Sequence, residues 1–159
     1  MNRESFTIDE KKYPIGWRFN STECILSSEE KKRIIFLDED ESSRFWDMIF
    51  PFDHLMKMPP MFCSVTEKID LDFKNSKQSS FFFENKLAGH SSVFFFWGKI
   101  ASAIVPVDIF IKSWNDFFYP CDETSILFIA SKNRMIFSYN ETFFYADILS
   151  NLNSQIIDG

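Results

Sequence analysis

The stretch Val93–Tyr145 constrains the fold more than any other part of the chain, because the strongest apolar periodicity lies there. Short apolar runs separated by turn residues predict strands. Because neighbouring short strands are joined by tight turns, the pattern favours an antiparallel sheet. The predicted strands are, in order, Val93–Trp97, a segment around Ile104-Val105, Ile126–Ala130, Met135–Tyr139 and Phe143–Ile148.

One amphipathic helix is predicted between the second and third of these strands. Pro106 and Asp108 suit its start, since proline tolerates the first turn and a carboxylate favours a helix N-terminus. Pro120 ends it. The apolar side chains recur at helical spacing and form one stripe: Val107, Phe110, Ile111, Trp114, Phe117 and Phe118.

The first half of the chain predicts two short helices. Ser27 and Glu30 have the spacing of a capping box, with Ile34, Ile35 and Leu37 as the apolar edge of that helix. A second helix carries Phe45, Trp46 and Ile49 on one face. The acidic run Asp38–Glu41 stands at its N-terminal end, where negative charge favours the helix dipole.

Weaker patterns predict three further elements. Alternating aromatic residues indicate an extended segment at 13–19, and a weaker alternation indicates a strand at about 68–73. Phe81–Leu87 is typical of a short helix that Gly89 ends. We therefore expect an α+β fold, with an antiparallel sheet of about five strands and helices packed mainly on one face. Residues 1–159 are predicted to form a single domain, with residues 1–12 and 151–159 loose.

Charge and composition exclude some classes of function. The chain carries 17 basic and 23 acidic residues, a net charge of −6, which disfavours a nucleic-acid or anionic-membrane partner. The N-terminal residues contain no apolar signal segment, and no apolar run is long enough to span a bilayer. Three separated cysteines fit a reducing compartment better than a disulfide framework. We therefore expect a cytoplasmic protein.

The sequence contains no recognisable catalytic or metal-binding motif. The two histidines, His54 and His90, lack the context of a nucleophile and its orienting group. The four glycines are scattered singly, so no phosphate-binding loop exists. Asp70 and Asp72 share one face of a predicted strand and could hold a divalent ion, although such a pair is more often solvated. We expect no catalytic residue, no metal and no cofactor.

The remaining hypothesis is protein binding through acidic residues. Asp38–Glu41 form a dense negative run beside aromatic residues, and other carboxylates would join it if the fold brought them together. The alternative is that the run is simply a solvated helix N-terminus. Acidic surfaces accelerate association with basic partners. The candidate partner-binding residues are Asp38, Glu39, Asp40, Glu41, Trp46, Asp53, Asp70, Asp72, Asp122 and Glu123.

Two passages of the chain resemble a family of small, uncharacterised bacterial proteins found among mobile or accessory genes. One passage is Trp17-Arg18-Phe19, which matches a WxF start, and the other is Phe110–Phe118, which matches an FxKxWxxFF helix. The strand entry at Cys121–Phe128 also matches but lacks the family's Gly and Pro. This resemblance covers most of the chain and supplies no catalytic residues.

In general character the chain also resembles the immunity proteins of contact-dependent inhibition systems. Those proteins bind and neutralise a cognate toxin domain, commonly a nuclease with a basic cleft. The resemblance implies a non-enzymatic protein that occludes such a cleft with acidic side chains and an aromatic anchor. Two alternatives are open: a structural or regulatory module that binds another bacterial protein through exposed Phe side chains, and an enzyme that uses a carboxylate pair such as Asp70 and Asp72.

Overall fold

The computed structural model describes residues 6–70 and 76–149. Within these ranges the strands are β1 Ile35–Leu37, β2 Cys63–Asp70, β3 Ser92–Phe96, β4 Ser102–Pro106, β5 Ile126–Ile129, β6 Arg134–Tyr139 and β7 Thr142–Ile148. The α-helices are α1 Trp17–Asn20, α2 Ser28–Lys32, α3 Glu39–Ile49, α4 Ser76–Leu87, α5 Val107–Lys112 and α6 Trp114–Phe117. Short 3-10 turns occupy Pro14–Gly16, Leu55–Lys57 and Ala130–Lys132.

The strands form one antiparallel sheet in the order β1-β4-β3-β5-β6-β7-β2. The expected α+β class with an antiparallel sheet is confirmed, and the five predicted strands of the 93–148 region are its inner strands β3 to β7. The expected number of about five strands is too low, because β1 and β2 extend the sheet at its two edges.

β1 was not predicted and β2 was predicted with the wrong bounds, because neither edge strand has a strong apolar alternation. The apolar run at 34–37 was predicted as part of a helix, but it becomes β1 because its backbone pairs with β4 more than 60 residues away, as in Ile35 with Ile104. The strand predicted at 68–73 begins earlier, at Cys63, and its residues 71–73 lie outside the described residues. Most of β2 is exposed, so its apolar alternation is weak.

The segment predicted as extended at 13–19 is instead a 3-10 turn followed by α1. Its alternating pattern does not follow burial, because Arg18 is buried while Trp17 is 48% exposed. The predicted helix after Pro106 is present but divides into α5 and α6 at Ser113, whose φ/ψ of −128°/33° is not helical. The capping box of Ser27 and Glu30 is confirmed, as is a helix covering Phe81–Leu87.

Aromatic side chains cover both faces of the sheet. On the first face, α1, α4, α5 and α6 contribute to a layer of buried residues that includes Phe19, Phe83, Phe95, Phe110 and Phe117. The expected packing of helices mainly on one face is not confirmed, because α3 packs against the other face. On the second face, α3 and the segment 50–62 bury a separate layer that was not predicted, comprising mainly Trp46, Phe50, Phe52, Phe62, Phe96 and Phe128.

The structure describes part of the N-terminal segment that was predicted to be loose, and none of the C-terminal one. Residues 1–5 and 150–159, including the tail predicted to be loose, lie outside the described residues. Within the segment predicted to be loose at the N-terminus, Ile8 is 5% exposed and exchanges backbone hydrogen bonds with the Asn20 side chain at 2.8 and 2.9 Å. In the described ranges, no helix has the length and apolarity that a bilayer crossing requires.

Candidate protein-binding surface

The register of the sheet brings several of the predicted acidic residues to one of its ends. Leu37, the last residue of β1, pairs with Ser102, the first of β4. At the opposite edge, Asp70 at the end of β2 pairs with Thr142 at the start of β7. We call this end, at which β1, β2, β3 and β6 finish and β4, β5 and β7 begin, the acidic end. Its carboxylates include Asp38, Glu39, Asp40, Glu41, Asp70, Asp122, Glu123 and Glu141.

The acidic run Asp38–Glu41, here called the α3 acidic turn, begins α3. The Asp38 carboxylate accepts a hydrogen bond from the Glu41 amide at 2.8 Å, and the Glu41 carboxylate accepts one from the Asp38 amide at 3.1 Å. These two residues form a capping box. Glu39 and Asp40 are exposed. Two of the four carboxylates therefore stabilise the helix, and the other two face solvent.

Asp122 is the anchor of a buried ion pair. Arg18 donates to both of its carboxylate oxygens, at 2.7 and 3.0 Å, and the two side chains are only 8% and 10% exposed. The carboxylate also accepts from the Tyr119 amide at 3.0 Å and from the Ser125 hydroxyl at 2.8 Å. Its hydrogen-bonding capacity is therefore used inside the chain, whereas its neighbour Glu123 is exposed.

A polar cleft of about 410 Å³ opens beside this ion pair, and it brings together the predicted residues Asp53, Asp122 and Glu123. Lys99, on the β3–β4 turn, bridges Asp53 at 3.1 Å and Asp47 at 3.2 Å. Hydrogen bonds to Asp53 and Asp47 raise the pKa of Lys99. Asp53 is thus partly neutralised, although its side chain remains 77% exposed.

His54 also lines this cleft, and its hydrogen bonds differ from those of a catalytic histidine. Its Nδ1 accepts from the Met56 amide at 3.1 Å, and its Nε2 lies 2.6 Å from the Thr124 hydroxyl. In a catalytic triad the Nδ1–H instead donates to a carboxylate, which orients the ring and stabilises its charge. The His54–Thr124 pair therefore lacks the orientation needed to activate a hydroxyl nucleophile.

Trp46, the predicted aromatic anchor, lies in the core. It is 0% exposed, its indole N–H donates to the Phe52 carbonyl, and its ring packs against Phe50 and Phe96. In this structure it is not available to contact a partner directly, because α3 turns its aromatic face onto the second layer of the sheet.

A different tryptophan is exposed near the acidic end. Trp17 is 48% exposed and lies edge-on to Tyr119 with 5.7 Å between ring centroids. The Arg18 guanidinium carbon lies 3.9 Å from the Tyr119 ring centroid, so the buried ion pair supports both rings. The sequence pattern did not indicate that Trp17 is exposed, because the alternating residues around it suggested a strand. The buried arginine beside it left no recognisable pattern.

Asp70 and Asp72 were predicted to share a strand face. Asp70 is exposed at the end of the edge strand β2 and accepts from the Thr142 hydroxyl at 2.8 Å. Asp72 lies outside the described residues. Across residues 6–70 and 76–149, no three histidine, cysteine or carboxylate side chains cluster in a way that could hold a metal ion.

Two acidic residues that sequence analysis did not select lie close to Tyr119. Burial raises the pKa of Tyr119; the Arg18 charge lowers it, whereas the charges of Asp116, Glu23 and Asp122 raise it. Glu23, which is exposed, therefore extends the negative charge from the acidic end toward α6. Asp116 lies on the predicted helix but is not one of its apolar residues, yet it is only 8% exposed.

No protein-family model matches this chain, and neither the curated proteins nor the solved structures include a significant match. The resemblance to the bacterial family, which was based on Trp17-Arg18-Phe19 and Phe110–Phe118, therefore stays a prediction. Functional inference depends on the geometry of the acidic end.

Proposed function

We propose that this chain is a cytoplasmic immunity protein that binds a cognate bacterial toxin domain, a nuclease, and neutralises it by occluding its basic active-site cleft. The observation that carries the proposal is the gathering of exposed carboxylates at one end of the sheet, next to the exposed Trp17. The protein would act by binding alone, with no chemistry of its own.

Electrostatics would guide the association. Glu39, Asp40, Asp70 and Glu123 are exposed and have no cationic partner among the described residues. Their field would attract a cleft that is built to hold the phosphates of nucleic acid. We expect the association rate to fall steeply with ionic strength, since surface charges are screened over about 10 Å at 0.1 M salt.

Trp17 would supply the short-range contact. Interface energy is concentrated in a few large side chains, with tryptophan, tyrosine and arginine over-represented. Trp17 and Tyr119 form such a pair, and the buried Arg18 holds Tyr119 in place. This arrangement takes the anchoring role that the sequence had assigned to Trp46.

Co-expression with a candidate toxin domain tests the proposal. The nuclease domain encoded next to this chain should be toxic alone and harmless with it, and the two should co-purify as a stable complex. If growth is not rescued and no complex forms, the immunity function is wrong.

Substitutions then locate the interface. Trp17→Ala should weaken the complex by at least about thirtyfold, the minimum effect of a binding hot spot. Met61→Ala is the matched control, because Met61 is 76% exposed but precedes β2 at the opposite end of the sheet. Equal effects of the two substitutions would show that the acidic end is not the interface.

A second candidate function is a regulatory module that binds another bacterial protein through apolar side chains. Three methionines on α3 and the segment 50–62 favour it: Met48, Met56 and Met61 are 75%, 60% and 76% exposed. Exposed methionines adapt to varied partners. A partner whose binding is lost with all three changed to glutamine, but unaffected by Trp17→Ala, would establish this alternative.

A further inference from the structure

A second cleft, of about 340 Å³, lies between α6 and the chain segment that precedes α2. Its lining includes Glu23 and Ile25 from that segment, and Asp116 and Tyr119 from α6 and the residues after it. It is distinct from the cleft around Lys99, although both border the segment that contains Tyr119 and Asp122. We call it the Asp116 cleft.

Asp116 distinguishes this cleft, because its carboxylate is buried and only partly hydrogen-bonded. The residue is 8% exposed, and its Oδ2 atom has no hydrogen-bond partner in the described part of the chain. The nearby Cys24 thiol and Ile25 backbone amide lower the pKa of this carboxyl, but by less than burial raises it. A buried carboxylate oxygen without a donor is costly, so native structures usually satisfy such atoms.

The carboxylates of the Asp116 cleft favour a cation as the missing donor. The charge of Lys31 acts on Asp116, but the two side chains form no ion pair among the described residues. Glu23 adds a second carboxylate to its lining. Lys112 also lines the cleft, but both oxygens of Glu30 hold its ammonium group at 2.9 Å. Tyr119 contributes an aromatic ring, and such rings attract ammonium and guanidinium groups.

We infer that the Asp116 cleft binds the ammonium or guanidinium group of a lysine or arginine side chain presented by the partner protein. The partner assignment depends on the proposed function, since the target of a nuclease inhibitor is rich in such side chains. One N–H donor would satisfy Asp116 Oδ2, and Glu23 would share the charge.

A small-molecule titration tests the cleft without any toxin. N-acetyl-arginine amide carries the guanidinium group, and N-acetyl-citrulline amide is its neutral counterpart of nearly equal shape. In two-dimensional NMR spectra of the labelled protein, the arginine probe should shift the amide signals of Ile25, Asp116 and Tyr119. The citrulline probe should leave them unchanged. Equal responses to the two probes, or no response to either, would overturn the inference.

Substitutions assign the effect to the carboxylates. Asp116→Asn should weaken binding of the arginine probe at least about tenfold, because hydrogen bonds to charged groups are the strong ones. Glu23 is exposed, so Glu23→Gln tests the cleft without disturbing the core and should weaken binding by a smaller factor. Glu39→Gln is the control, since Glu39 lies on α3 against the other face of the sheet. Unchanged binding in both cleft variants would contradict the proposal.

The toxin complex then tests the partner assignment separately. Asp116→Asn should also weaken that complex at least about tenfold. If the probe binds as expected but the complex is unaffected, the cleft is a cation site and the assignment to the toxin is wrong. If the chain binds no toxin and still binds the probe, the immunity function fails while the cation site remains.

Discussion

Two acidic regions of this molecule are held by different contacts, one by local hydrogen bonds and the other by an ion pair between distant segments. In the α3 acidic turn, Asp38 and Glu41 bond to each other's backbone amides, three residues apart. In the region around Tyr119, Asp122 is bonded to Arg18, which is 104 residues away in sequence. The first region is dense in charge and organised locally, whereas the second is sparse in sequence and organised by the fold.

The number of charged residues in a segment therefore does not indicate how strongly each charge affects the stability of the protein. Exposed carboxylates at a helix start interact mainly with nearby backbone groups and with water. A carboxylate that the fold buries must be paired or it destabilises the protein. Asp122 is paired, and one oxygen of Asp116 is not. Four substitutions test this contrast, in order of the size of their expected effects.

Arg18→Met should destabilise the protein most, by about 3–5 kcal/mol, because it leaves Asp122 buried without its cation. It also removes one of two donors to the Phe117 carbonyl, the other being the Trp97 indole N–H. Urea denaturation measures the change in free energy of unfolding. Arg33→Met is the matched control: the Arg33–Asp108 pair is 53% and 66% exposed, so its loss should cost less than about 1 kcal/mol. Similar costs for both would mean that burial does not distinguish the pairs.

Asp38→Ala should cost about 1 kcal/mol, the usual cost of losing an N-cap. Asp38→Asn should cost far less, because the amide oxygen still accepts from the Glu41 amide. Thermal or urea unfolding of the two variants separates the cap from the charge. If Asn is as costly as Ala, the contribution of Asp38 comes from its charge, and the local account of this region is wrong.

Asp116→Asn should stabilise the protein near neutral pH by about 1 kcal/mol, the low end of the cost of an unsatisfied buried polar group, since it removes a buried charge whose oxygen Oδ2 is unsatisfied. Burial raises the pKa of Asp116, and the nearby Cys24 thiol and Ile25 amide lower it by less. The folded state thus holds this proton more tightly than the unfolded state.

The sign of the pH dependence follows from that shift. The contribution of Asp116 to stability is fully present below the pKa of an unfolded aspartate and is lost as pH rises through the raised folded pKa. The stability advantage of Asp116→Asn over the parent should therefore grow from acidic to neutral pH. Unfolding free energies of the two proteins, compared across that range, measure it. An advantage that does not change with pH would show that the carboxylate is not desolvated.

Glu39→Gln together with Asp40→Asn should change stability by less than about 0.5 kcal/mol, because both side chains are exposed and neither forms the cap. Under the proposed function the pair should instead slow association with the toxin domain at low salt. Stopped-flow kinetics at two salt concentrations would detect this. An unchanged association rate would remove the α3 acidic turn from the interface and leave it a solvated helix start.

Sequence patterns predicted the elements whose stabilisation is local or strongly periodic. The capping box at Ser27 and Glu30 and the helix after Pro106 are of this kind. The inner strands β3 to β7 were found because their apolar runs are nearly continuous, as in β5, where every residue is buried. The edge strand β1 was missed because three residues carry no period and become a strand only by pairing with β4.

The residues of the candidate site were harder to predict from the sequence than the strands and helices. Trp17 and Trp46 are the same residue type in similar aromatic surroundings, yet one is 48% exposed and the other 0%. Local spacing could not distinguish them, because burial depends on which face of the sheet each segment covers. Asp122 was selected for its charge, but its partner Arg18 lies in the N-terminal part of the chain, and no sequence pattern indicated that the two would pair.

The sequence alone predicted the α+β class, the inner antiparallel strands, the cap of α2 and the excess of negative charge. Each depends on neighbours within a few residues or on composition. The tertiary structure was needed to show that acidic residues from separate segments lie at one end of the sheet. It was also needed to show that Arg18 pairs with Asp122 and that Asp116 is buried with an unsatisfied oxygen. These features depend on contacts between residues far apart in sequence, and the energy of a charged group depends on the burial and partners that such contacts create.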